Sequence, residues 1–63
     1  MAASSATLKS FLEAENAAAV ARRRQCEALL LTADGEVRDY LYDLRKKADE
    51  EVTIVLTLLG LLR

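Results

Sequence analysis

Leu29-Leu30-Leu31-Thr32-Ala33-Asp34-Gly35-Glu36-Val37-Arg38-Asp39-Tyr40 is the stretch on which the fold turns. Gly35 tolerates a positive φ and Asp34 suits a helix N-cap, so the pair marks a tight connection. Apolar runs on either side of Asp-Gly are also a β-hairpin signature. On that alternative the chain is a small α+β unit with 52–59 as a third strand. Strict alternation is absent from both flanks, however, and the charge spacing beyond Tyr40 is helical. The expected fold is therefore all-α: an antiparallel αα-hairpin, with helix 1 over about 5–31, a turn at 32–35 and helix 2 over about 36–62.

Downstream of the turn, Val37, Tyr40, Leu41, Leu44, Ala48, Val52, Val55, Leu56, Leu59 and Leu62 recur at spacings of three and four. That is one face of a helix. Arg38, Asp39, Asp43, Arg45, Lys46, Lys47, Asp49 and Glu50 occupy the other. Asp43 with Lys47, Arg45 with Asp49, Lys46 with Glu50 and Lys47 with Glu51 are opposite charges four residues apart. Each such pair stabilises a helix by about 0.2–0.5 kcal/mol. The run 52–59 is β-branched and apolar nearly all round, so strand and buried helix both fit it; either way it has to be covered.

Upstream, Leu8, Phe11, Leu12, Ala19, Cys26, Leu29 and Leu30 form a helical stripe that Glu15 and Arg22 interrupt. Ser4, Ser5 and Thr7 are candidate N-caps, and Ser10-Phe11-Leu12-Glu13 matches a capping box. The earlier start is preferred because it places Leu8 on the apolar face. The small side chains of 17–21 would let a neighbouring helix approach closely, so the tract is either a contact surface or a weak spot in the helix.

Size and composition say how such a hairpin is held. Apolar residues make up 52% of the 63-residue chain, and proline is absent. That composition suits helix and argues against disorder. A chain this short buries only about 60% of its unfolded surface and normally gains stability from disulfides, a metal or partner chains. One cysteine and no histidine leave partners, and no cofactor or metal is expected.

A net charge of −1 creates no field that favours nucleic acid or an anionic membrane. The longest uncharged run, 52–62, is too short for a membrane span, which takes about 20 residues. Nothing near Met1 reads as a secretory signal, although the alanines, serines and Arg22-Arg23-Arg24 faintly suggest a transit peptide, against which Glu13 and Glu15 count. A lone cysteine fits a reducing, intracellular compartment, with the cytoplasm as the expected one.

No catalytic constellation is visible, and an enzyme is not expected. Cys26 lies one turn after Arg22 but falls on the apolar stripe, with no base or resolving cysteine, so a buried, inert thiol is expected. Asp49-Glu50-Glu51 lacks the loop of a calcium site.

The expected function is a non-enzymatic structural or protein-protein interaction subunit. It oligomerises, as a homodimer that completes a four-helix bundle, or packs with other subunits in a larger complex. The expected interface is Leu8, Leu12, Cys26 and Leu30 from the first helix and Leu41, Leu44, Val52, Val55, Leu56, Leu59 and Leu62 from the second. The alternative is a small nucleic-acid-binding regulator that presents Arg22, Arg23 and Arg24 as a basic strip across a dimer. Three consecutive arginines fan around a helix, so they cannot all face a core. Stacking aromatics, the usual companions of specific RNA recognition, are missing near them.

Overall fold

The computed structural model describes residues 5–62. Two helices, α1 (Ser5–Leu30) and α2 (Gly35–Leu61), pack against each other as an antiparallel hairpin. No strand occurs among the described residues, so the α+β alternative is excluded and 52–59 is helical. Thr53 and Thr57 fit that helix because each hydroxyl donates to the carbonyl one turn back, Asp49 at 3.1 Å and Thr53 at 2.8 Å. Their polar groups are thus satisfied without water or a sheet. Ser4, one of the expected caps, lies outside the described residues, and Ser10 sits inside α1 rather than at its start.

The connection is built as the Asp-Gly pair implies. Helix α1 closes through Leu31 N–H to the Ala28 carbonyl at 3.3 Å and Ala33 N–H to the Leu29 carbonyl at 3.1 Å. Asp34 is extended at the N-cap position, and its carbonyl accepts the Arg38 N–H at 3.3 Å; its side chain makes no capping bond. Gly35 has φ +60, and a Cβ built there meets nothing within 4 Å. Gly35→Ala therefore suffers only backbone strain, about 1 kcal/mol. The expected result is a melting temperature lower by roughly 5 °C with unchanged helicity. An unshifted melt would show that the turn relaxes to a negative φ.

The contact between the helices follows a repeat narrower than either apolar stripe. Buried and half-buried residues include Leu12, Asn16, Ala19, Arg23, Cys26 and Leu30 on α1 and Leu41, Arg45, Ala48, Val52, Val55, Leu59 and the C-cap Leu62 on the α2 side, with Val20, Leu44 and Asp49 half-buried beside them. Steps of four and three alternate along both sets, the period of a coiled-coil seam. The innermost residues are Ala19 and Ala48 (1% exposed each), Cys26 (4%) and Leu41 (7%). The small side chains of 17–21 thus contribute Ala19 to the contact. Leu8, Phe11 and Leu29, expected on the same stripe, fall outside the seam and are exposed. A two-helix contact is too narrow to cover a stripe of 100° or more.

The result is a thin rod. Its extents are 48 × 19 × 14 Å with a radius of gyration of 14.7 Å, against about 10.6 Å for a compact chain of this length. It exposes 5009 Å², whereas a compact monomer of this mass exposes about 4,000 Å².

Candidate functional site

Charged residues cross the seam at mid-length. Arg23 Nη1 donates to Asp49 Oδ1 at 3.1 Å, and its Nε lies 3.9 Å from Glu27. Arg22 reaches Glu51 across the helices at 3.6 Å. These contacts set the register, with residue 23 level with 49 and residue 22 level with 51. Of the expected same-helix pairs, Asp43–Lys47 forms at 3.0 Å, and this carboxylate holds the Lys47 amine above its ordinary pKa. Asp49, expected to pair along its own helix with Arg45, is taken by Arg23 from α1. Arg45 instead sits half-buried, its guanidinium carbon 5.8 Å from the Tyr42 ring centre. Arg38 covers the same ring at 5.5 Å, and its Nη2 donates to the Tyr42 hydroxyl at 3.4 Å. That bond lowers the phenol pKa from its usual value.

Two of the three arginines of the expected basic strip are therefore engaged with carboxylates of the same hairpin, and Arg24 is exposed. Two of the three carboxylates in 49–51 face those arginines. Cys26 is a free thiol packed within the seam. Among the described residues no cluster of three or more metal-ligating side chains forms, and no helix is long and apolar enough to cross a membrane.

The expected interface residues divide into two groups. Cys26 and Leu41 are buried by the hairpin itself, and Leu12, Leu30, Leu44, Val52, Val55, Leu59 and Leu62 are half-buried along its contact; Leu8 and Leu56 are exposed. A further set of apolar side chains faces outward: Phe11, Leu29, Tyr40, Ile54, Leu58 and Leu61. Each of these immediately precedes a seam residue in sequence, so together they follow the same repeat on one flank of the rod. That is the signal that could have found them. A search for one stripe per helix merges them with the seam or leaves them unplaced.

The flank is most apolar at the open end, where Leu8, Phe11, Leu12, Leu58, Leu61 and Leu62 line a cleft of about 380 Å³. By the same repeat the opposite flank carries Glu13, Arg24, Glu27, Lys46, Asp49 and Thr53, with exposed Leu31, Tyr42 and Leu56 among them. On that side Lys9 and Glu13 join Leu56, Leu59, Gly60 and Leu62 around a depression of about 280 Å³. A wider hollow of about 530 Å³, beside Lys46, Asp49, Glu50, Thr53 and Ile54, is open surface along α2 alone. The arrangement is a two-helix rod whose two flanks differ in degree: one holds more of the exposed apolar side chains, with Arg22, Lys47 and Glu51 at its middle, and the other is more polar. No known protein family, curated protein or solved structure matches the chain.

Proposed function

We propose that this chain is a non-enzymatic interaction or structural subunit, a helical hairpin that oligomerises or packs into a larger assembly through apolar helix faces. One observation carries the proposal. The hairpin buries Ala19, Cys26, Leu41 and Ala48, while eleven large apolar side chains remain exposed among the described residues. Two alanines and a cysteine supply little of the apolar area that drives folding. Ordering a chain costs about 1.5 kcal/mol per residue, and a seam of this kind leaves much of that cost unmet until a partner covers the rest.

The proposal is tested by following helicity and sedimentation through a dilution series. Anything that binds only the folded chain shifts its stability by mass action. The melting temperature is expected to fall on dilution if copies associate, or the isolated chain to be loosely folded at every concentration if the partner is another protein. A sharply melting 7.0 kDa particle, indifferent to dilution, would overturn it.

A further inference from the structure

We infer that the apolar flank is the surface on which a second copy of this chain docks, with the turn ends of both hairpins together, to close a four-helix bundle. The inference rests on the interaction-subunit proposal and identifies the partner. Area is the first ground. The rod exposes 5009 Å², about 1,000 Å² more than a compact monomer of its mass. A stable dimer of standard size covers about 800 Å² on each partner.

Self-complementarity is the second ground. In a two-fold dimer one patch must fit itself. With the two-fold axis along the rod, α1 of one copy lies antiparallel on α2 of the other, at the level it already occupies within its own hairpin. The levels set by Arg23–Asp49 and Arg22–Glu51 then match like with like. Phe11 meets Leu61 of the second copy, Ala18 meets Ile54, and Leu29 meets Leu44. At mid-length Arg22 meets Glu51, so two exposed ion pairs become a ring of four alternating charges. Every neighbouring helix pair is antiparallel, as in an up-down bundle. A net charge of −1 per chain opposes this pairing only weakly. The turn-to-open-end alternative sets Arg22 near Arg22 and Glu51 near Glu51, which like charges disfavour.

Single-cysteine chains test the arrangement in a Cys26→Ser background. Mixing Ala18→Cys chains with Ile54→Cys chains under mild oxidation is expected to give a crosslinked heterodimer, and mixing Phe11→Cys with Leu29→Cys chains to give none. In sedimentation the natural chain is expected at twice 7.0 kDa. Ile54→Asp combined with Leu58→Asp should return it to the single mass, while Leu56→Asp on the opposite flank should leave the dimer intact. A Phe11–Leu29 crosslink, or a dimer that Leu56→Asp dissociates and the flank pair does not, would overturn the arrangement. An isolated chain that stays loosely folded and single at all concentrations would remove the second copy as partner yet leave the interaction proposal standing. A firmly folded single chain would remove both.

Discussion

Ala48→Leu is expected to destabilise the hairpin by about 1–3 kcal/mol, measured by thermal or urea unfolding. Ala48 is 1% exposed, at a level where Arg23 reaches Asp49 at 3.1 Å and the helices stand close. Three added carbons have no space there. They push the helices apart and stretch the ion pair beside them. Helix propensity alone predicts almost no change, since leucine ranks just below alanine. The exposed position Ala21 is the matched control, where Ala21→Leu should be neutral within about 0.5 kcal/mol. The sign is decisive. A loose seam would accept the larger side chain and gain about 2 kcal/mol from its burial, so a higher melting temperature for Ala48→Leu would refute close approach.

The opposite sign is expected at Asn16. Its side-chain oxygen is buried without a hydrogen-bond partner, at a seam position one step from Leu12 and Ala19. A buried polar atom left unpaired costs about 1–3 kcal/mol. Asn16→Leu removes that atom and adds apolar contact, so the variant should melt higher, by on the order of 5–15 °C for a chain of this size. Asn16→Ala, which removes the polar atom and leaves a gap, should fall between the two. A polar residue at one seam position commonly sets register and oligomeric state at a cost in stability. The stabilised variant should accordingly lose uniqueness, seen as additional species in sedimentation. Unfolding at a lower temperature would mean that the oxygen has a partner in solution.

Ala48 lies on the face that the spacing of helix 2 predicts, but Asn16 and the Arg23–Asp49 pair beside Ala48 are not legible from the chain. In the sequence Arg23 reads as one member of a basic triplet, and Arg45 and Asp49 fall on the charged face of helix 2. In the hairpin, Arg23 and Asp49 satisfy each other across the helices, which lets charged side chains lie half-buried. A partner 26 residues away leaves no trace in local spacing. Asn16 gives no cue in the sequence, because a single polar residue among alanines carries no periodic signal. Even Leu8 and Phe11, which spacing puts on the contact face of α1, are exposed because the seam passes beside them.

What the amino acids determined unaided was local: two helices from alanine- and leucine-rich segments without proline, a break at Asp34-Gly35 where only glycine is comfortable at φ +60, and antiparallel packing from the shortness of that break. These follow because backbone preference and nearest-turn contacts are properties of adjacent residues. Tertiary structure decided which narrow seam each helix presents. Two helices lying side by side bury a band that repeats every three and a half residues, narrower than the greasy stripe each one carries. What lies just outside the band, Phe11, Leu29, Ile54 and Leu58 among it, stays exposed because a single neighbouring helix cannot reach round to it.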